Sequence, residues 1–542
     1  MSAPDSQQAE PLLSPATDEE TASSSSASPL TTAQHARALD ADTEPESTPL
    51  GRRLGWRSAY IIVLSRVIGT GIFATPGAVV RSAGSVGLSS LLWVLGAVMA
   101  ACGLAVSLEY GCMLPRSGAD KVYLEFTYRR PRFLASTLVA VQMVLMGFTA
   151  TNCVVFGEYV LYALGVEGAE WATKALAVGL LAAVTVLHGC FLRAGIWLQN
   201  VIGWLKIGLI VFMAVTGLVV VLFGHSSAPE EEGEKALPAK PHGQGIWEGS
   251  EWGWGIMSTA LFKVSYAYAG ADNVNYVLNE VKDPVRTLRS VSIAALASCC
   301  VFYLILNFAY FAVVPIDEIK ETGELVAALF FDKIFGPTLG KVVLPLAVAL
   351  CAAGNVLVVT FSKSRANQEI ARQGFLPFAS LLASSRPFGA PLGGMIVHFI
   401  PSSLVILVPP SSDVFDFILD VDGYPIQYFA LAVCIGLLLL RSRRPDIKRP
   451  FKAWLPAVWI RMAICVALIV APFFPPRDGA GDVSFFYATY ALVGIGVMVS
   501  GFVYWCVWFR WLPKRRGYQI EETVEVLEDG TSITKLVRIK SK

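Results

Sequence analysis

Long apolar runs alternate with short polar connections over most of this chain. A helix of about 20 consecutive apolar residues is long enough to cross the hydrocarbon core of a bilayer. By that criterion the sequence predicts an all-α membrane protein with about twelve transmembrane helices. The predicted spans are 59–80, 88–108, 133–164, 172–191, 197–223, 254–279, 289–314, 341–366, 391–409, 414–440, 453–474 and 484–511.

The first and sixth predicted spans contain residues that disfavour a continuous helix at their centre. The tripeptide Gly-Thr-Gly at 69–71 interrupts the first span, and the segment 266–272 interrupts the sixth. Broken backbone at membrane depth is tolerated only where it is buried in protein or lines a cavity. The two breaks are five crossings apart, so the units that carry them have opposite orientations. This pattern predicts two inverted units with a binding site at their midplane.

The chemistry of the two breaks suits an α-amino acid. A helix that begins near Gly71 presents free N–H groups and partial positive charge, which attract a carboxylate. Carbonyl groups at the ends of the preceding half-helices attract an ammonium. The alternative is that the glycines form a notch for close helix packing. The predicted substrate-binding residues are Val67, Ile68, Gly69, Thr70, Gly71, Tyr266, Ala267, Ala269, Gly270, Ala271 and Asp272.

Charged residues inside spans are candidates for coupling and gating, because each costs about 2.5–3.5 kcal/mol on insertion scales. Lys206 lies in the fifth span between apolar neighbours, where a lysine can give up its proton. The alternative is a lysine that extends to the membrane interface. Lys263 and Glu158 are weaker candidates because they lie near predicted span ends.

Arg66 directly precedes the first break. We expect it to pair with a carboxylate, either Glu280 or Glu109, that closes the inner gate. A purely structural ion pair is the alternative.

Composition and charge limit the function classes. The chain is 54% hydrophobic and 16% charged, whereas soluble domains average about 25% charged residues. The net charge of +1 gives no electrostatic basis for nucleic-acid binding. Ten cysteines form no CxxC pair, so neither a metal site nor a disulfide framework is expected. The sequence has no nucleophile–base pair or phosphate loop, so we expect no enzyme activity and no cofactor, with a proton as the suspected coupling ion.

The chain divides into three predicted regions. Residues 1–51 form a polar tail that is expected to be disordered, 52–511 form the transmembrane domain, and 512–542 form a C-terminal tail. Lys and Arg are concentrated in alternate connections, which predicts cytoplasmic termini. Lysines available to the ubiquitin machinery for turnover control are Lys514, Lys535, Lys540 and Lys542.

Three motifs carry a family resemblance. They read VIGTGIFATPG in the first span, YAYAGADNVNYVLNEVKDP in the sixth and GNVLVVTFSKSRANQEIARQGFLP in the eighth. Together they resemble the amino acid–polyamine–organocation superfamily, within it the L-type amino acid transporter branch and fungal high-affinity methionine permeases. The resemblance implies a leucine-transporter-type fold with five-plus-five inverted repeats and two extra helices. It also implies that Tyr266 is an aromatic gate and that Lys206 stands where related carriers bind sodium.

Two departures from this pattern affect specificity and partners. Animal L-type carriers have a tryptophan where this chain has Ala271, so their side-chain specificity does not transfer. The loop 165–174 lacks the cysteine that links those carriers to a heavy chain, so no disulfide-linked partner is expected. We therefore predict a plasma-membrane importer of neutral L-amino acids, methionine favoured, that is proton-coupled and works by alternating access. The alternatives are a broad neutral amino-acid exchanger, an amine permease, or an amino-acid receptor that signals through its tails.

Overall fold

The structure is a computed structural model. It describes residues 10–11, 55–115, 118–166, 170–223, 246–276, 278, 281–384, 390–410, 414–475, 483–484, 486–526 and 532–540. The N-terminal tail predicted over 1–51 lies outside these residues, except for residues 10–11. Glu280, one of the predicted gating residues, also lies outside them.

The described residues are mainly helical. The α-helices, numbered in chain order, are α1 Trp56–Val67, α2 Gly71–Ala83, α3 Val86–Met113, α4 Asp120–Thr127, α5 Leu134–Leu145, α6 Ala150–Leu164, α7 Glu170–Cys190, α8 Leu192–Phe223, α9 Trp254–Tyr268, α10 Pro284–Val313, α11 Ile316–Thr322, α12 Val326–Thr338, α13 Leu344–Arg372, α14 Ala379–Leu382, α15 Leu392–Leu407, α16 Val414–Arg443, α17 Leu455–Val470, α18 Thr489–Trp505 and α19 Leu512–Arg516. Shorter 3₁₀ and π segments are Asn273–Tyr276, Gly323–Leu325, Leu339–Val343, Ala471–Phe473 and Cys506–Trp511.

Nine helices in the described ranges are long and apolar enough to cross a membrane. Helices also occupy the other three predicted spans, but those helices are shorter. The first span is divided between α1 and α2, the sixth ends early with α9, and α15 has 16 residues. The all-α membrane class is thereby established, while the count of twelve spans stays a prediction.

The structure interrupts the first and sixth spans where the sequence predicts breaks. Helix α1 ends at Val67 and α2 begins at Gly71. Helix α9 ends at Tyr268, and Gly270 then adopts φ +106°, a left-handed conformation that favours glycine. The third predicted span is divided as well, between α5 and α6, with Gly147 in the gap.

The bundle has two ends, which we name by the first broken helix. The near end is where α1 begins at Trp56, and the far end is where α2 ends at Ala83. At the near end Glu109 is fully buried and accepts hydrogen bonds from Arg441 and from the backbone N–H of Ala453, the latter at 2.7 Å. These contacts join the end of α3 to the end of α16.

A three-stranded sheet in the order β1-β3-β2 combines a short strand near the start of the chain with two strands that follow the last helix. Its strands are β1 Glu10–Pro11, β2 Tyr518–Val526 and β3 Ser532–Lys540. Strands β2 and β3 form an antiparallel hairpin. The backbone N–H of Leu536 donates to the carbonyl of Gln373 at 3.1 Å, so the hairpin rests on the near end of α13.

Candidate substrate site

The two helix breaks meet at the centre of the bundle. The start of α2 packs against the end of α9 so closely that a Cβ on Gly71 would lie 2.8 Å from the Cα of Ala267. Such a distance is too short for a real Cβ, so a glycine is required here by helix packing alone. The packing explanation for this glycine is therefore correct, and it is compatible with a ligand at the adjoining N–H groups.

Thr70 precedes α2, but its hydroxyl does not cap the helix. The hydroxyl instead donates to the side-chain oxygen of Asn152 at 2.9 Å and lies 3.4 Å from the hydroxyl of Tyr266. Thr70 is fully buried and Asn152 is nearly so. The N–H groups in the first turn of α2 therefore lack a side-chain cap from Thr70, which suits an anionic ligand.

Hydrogen bonds continue from Asn152 to Lys206. The side-chain amide nitrogen of Asn355 donates to Asn152 Oδ1 at 3.2 Å, and Lys206 Nζ donates to Asn355 Oδ1 at 2.5 Å. Helices α8, α13 and α6 thus link the lysine to the break in the first span. Lys206 is only 3% exposed, which rules out a side chain that extends to the membrane interface.

The same asparagine also contacts the other glycine of the tripeptide. A Cβ on Gly69 would lie 2.8 Å from Nδ2 of Asn355. Any larger residue at 69 would therefore push Asn355 away from Asn152.

The hydroxyl of Tyr303 on α10 lies between two of the carbonyl groups near the breaks. Its oxygen lies 3.0 Å from the carbonyl oxygen of Val67 and 2.8 Å from that of Ala267. Val67 also accepts a hydrogen bond from the N–H of Gly69 at 2.8 Å. The Tyr303 hydroxyl has one hydrogen, which serves one of the two carbonyls at a time. With two donors beside it, the Val67 oxygen is less available to an ammonium than a free carbonyl.

Solvent reaches the breaks in this conformation. Ala269 is exposed, while Gly69, Tyr266, Gly270 and Asp272 are half-buried. In contrast, α2 is buried from Gly71 to Val80. The described residues therefore enclose the site toward the far end more tightly than around the breaks themselves.

Arg66 and Asp272 lie beside this accessible region. Arg66 packs against Gly270, where an added Cβ would lie 2.9 Å from its Cγ. The positive charge of Arg66 interacts electrostatically with the carboxylates of Asp272 and of Asp422 on α16. Asp272 also accepts a hydrogen bond from Ser107 at 3.5 Å.

The suggested pairing of Arg66 with Glu109 is wrong. The carboxylate of Glu109 forms an ion pair with Arg441, and Arg449 Nε lies 3.5 Å from its Oε1. The alternative partner, Glu280, lies outside the described residues.

The sequence does not predict three polar residues of this site, and it does not predict the burial of a fourth residue elsewhere. Asn152, Asn355 and Tyr303 are not among the predicted site residues, although a polar amide within an apolar span, as in the GNV motif at 354–356, is a signal for an internal hydrogen bond. Lys263 was placed near a span end, but its side chain is fully buried.

Comparisons with known proteins agree with this architecture. A sequence model of the family described as amino acid permease matches residues 54–498. The low-affinity methionine permease of Saccharomyces cerevisiae is 33% identical over 510 residues, which cover 93% of this chain and 91% of the relative. The high-affinity methionine permease of that yeast is 32% identical over 495 residues, covering 90% and 84%. The b(0,+)-type amino acid transporter 1 of Rattus norvegicus is 27% identical over 441 residues, covering 79% and 84%.

These relatives are named as permeases and transporters and not as enzymes, and the family resemblance seen in the three motifs is confirmed. With its broken helices and long apolar spans, the chain belongs to the amino acid permease family and is a multi-pass membrane transporter of amino acids.

Proposed function

We propose that this protein imports neutral L-amino acids across the plasma membrane, with methionine as the first substrate to test, in symport with protons. The observation that carries the proposal is the hydrogen-bonded chain from Lys206 through Asn355 and Asn152 to Thr70. It connects a buried ionisable group to the helix break that is suited to a substrate carboxylate. The two yeast methionine permeases support the choice of substrate.

In this proposal the backbone recognises the zwitterion. The N–H groups of the first turn of α2, from Thr70 to Ile72, bind the carboxylate, aided by the partial positive charge of the helix end. The carbonyl groups of Ile68, Tyr266 and Ala269 bind the ammonium. Both yeast relatives are permeases of a thioether amino acid, whose flexible side chain suits a pocket with aromatic and small apolar walls.

In this proposal the proton on Lys206 acts by fixing the positions of the hydrogen-bonded side chains, and it is not passed along them. Side-chain amides do not readily release protons, so Asn355 and Asn152 cannot hand one on. A charged Lys206 donates a strong hydrogen bond to Asn355, which fixes the amide that donates to Asn152. Loss of the proton weakens that contact and loosens Thr70, which changes the affinity of the adjoining site.

The proposed architecture has twelve spans and a five-plus-five inverted repeat. Both termini are cytoplasmic, because Lys and Arg are concentrated in the connections on their side. The near end of the bundle then faces the cytoplasm and the far end faces outside. Alternating access exposes the helix breaks to each side in turn.

We further propose that the transporter functions without a disulfide-linked heavy chain, since the loop 165–174 has no cysteine. It is not expected to bind nucleic acid or a metal. Its tail lysines remain candidates for ubiquitin-dependent turnover.

The decisive experiment is uptake of labelled L-methionine by cells that lack their own permeases, at acidic and neutral external pH. Unlabelled leucine, cysteine, arginine and choline serve as competitors. We expect acid-stimulated uptake that cysteine inhibits and that arginine and choline do not. Uptake that is independent of pH but accelerated by internal amino acid would replace symport with exchange, and no methionine uptake despite surface expression would exclude methionine.

A further inference from the structure

Three charged side chains, two of them buried, meet at the far end of the bundle, away from the helix breaks. Lys263 of α9 is fully buried, and its Nζ lies 3.1 Å from Oδ1 of Asp416 on α16, which is 3% exposed. Arg81 of α2 approaches the other carboxylate oxygen of Asp416 at 3.4 Å. We call these three residues the far-end cluster.

The far-end cluster also contacts α2 directly. Lys263 Nζ donates to Ser82 Oγ at 2.8 Å. Ser82 in turn donates to the carbonyl of Ala78 one helical turn earlier, at 3.1 Å. Lys263 therefore holds α9 against the last turns of α2.

A fourth segment lies over the far-end cluster. Arg81 donates to the carbonyl of Lys320 on α11 at 3.2 Å. The following Gly323 contacts Arg81, and its carbonyl lies against Gly77 of α2. The stretch from α11 to Leu325 thus covers α2 and leaves no room for a larger residue at either glycine.

The helices joined by these contacts are those that carry the candidate site. Lys263 precedes Tyr266 by one helical turn, and α2 begins at Gly71. The far-end cluster joins α2, α9 and α16, so these helices can separate at the far end only if its contacts break.

We propose that Asp416 is a gating residue that holds the outer pathway closed by pairing with Lys263 and Arg81, and that these pairs separate when the site opens outward. Buried ion pairs suit a switch because breaking them carries a large desolvation cost unless water enters at the same time. Opening the outer pathway admits that water. The inference rests on two parts of the proposed function, alternating access and cytoplasmic termini. It does not depend on which amino acid is transported or on proton coupling.

The test measures how readily the outer pathway opens. Ala78 is fully buried on α2, one turn closer to the site than Ser82. Ala78→Cys therefore introduces a thiol that a membrane-impermeant maleimide reaches only when the pathway is open. Labelling of intact cells is counted above that of the same protein without the new cysteine.

The gating variant combines Lys263→Met with Asp416→Leu in the Ala78→Cys protein. The double change removes both buried charges together, so neither is left unpaired. The matched control combines Lys333→Met with Glu318→Gln, because that pair is 2.9 Å long at the same end but partly exposed. Asp416→Glu, which keeps the charge, is the conservative variant.

We expect the gating variant to label roughly tenfold faster, within the range of coupling free energies between packed elements. The control pair and Asp416→Glu should label at the parental rate, and size-exclusion chromatography should show folded protein throughout. An unchanged rate in folded gating variant, in both intact and permeabilised cells, would overturn the proposal. Faster labelling seen only after permeabilisation would support the gate but reverse the proposed orientation.

Discussion

The ammonium nitrogen of Lys206 lies 2.5 Å from the side-chain oxygen of Asn355, although the two residues are 149 positions apart in the chain. Lys206 lies on α8 and Asn355 on α13. The amide nitrogen of Asn355 donates a hydrogen bond to Asn152 and packs against Gly69 in the first helix break. Through this contact the buried lysine is linked by hydrogen bonds to the candidate site.

Replacing Lys206 with methionine should abolish the stimulation of uptake by external acid. Methionine is unbranched like lysine and one atom shorter, and it has no proton to donate to Asn355. We expect uptake to become equal at pH 5 and pH 7.5, with folded protein at the cell surface. Lys206→Arg is the matched control, because it keeps the charge but cannot release it. Full acid stimulation in Lys206→Met would make the lysine merely structural.

Thr70 and Asn152 should act as a unit in substrate binding. Thr70→Val removes the hydroxyl without changing the shape of the side chain, and Asn152→Ala removes its acceptor. Each single change should raise the apparent KM about fivefold, which corresponds to about 1 kcal/mol for one hydrogen bond. The double variant should be little worse than Asn152→Ala alone, since that change already removes the contact that Thr70→Val removes. Strictly additive effects in uptake kinetics would argue against a shared role.

Gly71→Ala should lower the stability of the folded transporter even in the absence of substrate. The added Cβ would lie 2.8 Å from backbone of α9 at Ala267, so the two helices would have to separate. We expect a lower melting temperature of the purified protein in detergent. Gly208→Ala on α8 is the control, since an added Cβ there meets no atom within 4 Å. Equal melting temperatures for the two variants would contradict the close helix contact.

Asp120 should make stability depend on pH. This residue begins α4 in the connection between α3 and α5, and burial, together with the charge of Asp272, raises the pKa of Asp120 to about 7. An unfolded aspartate has a pKa of about 3.9. Between these values the folded protein binds more protons than the unfolded chain, so stability should fall as pH rises from about 4 to 7.

Asp120→Asn should remove this part of the pH dependence. Thermal unfolding at pH 5 and pH 7.5 measures it, and the melting temperatures of the variant should differ less than those of the parent. A variant that keeps the whole difference would assign the pH dependence to other groups.

Glu109→Gln should disrupt the near end of the bundle. The carboxylate is fully buried and accepts from Arg441 and from the N–H of Ala453. Breaking one side of a buried ion pair costs about 3–5 kcal/mol because the remaining charge is left without compensation. We expect little folded protein at the cell surface by quantitative labelling, whereas Glu318→Gln at an exposed pair should express normally. Normal levels of Glu109→Gln would show that water reaches Arg441.

Several features of the protein follow from local sequence. Apolar runs fix the helical segments because a chain in lipid has to satisfy its backbone hydrogen bonds internally. The interruptions at 69–71 and 269–272 follow from glycine, which disfavours a regular helix wherever it occurs. Lys206 is recognisable as a charge within an apolar span, whereas its burial follows only from the packing of the helices.

The tertiary structure decides which of these residues meet, because partners from different helices approach only after packing. No local pattern indicates that Asn355 bridges Lys206 to Asn152, or that the hydroxyl of Tyr303 lies beside the carbonyl of Val67. The same holds for Glu109, whose partner lies 332 positions away on α16 and is not Arg66. The sequence by itself determined where the helices run and break, while packing determined the partners of each buried polar group, since a charge or amide inside a bundle is stable only with the partner that the fold brings to it.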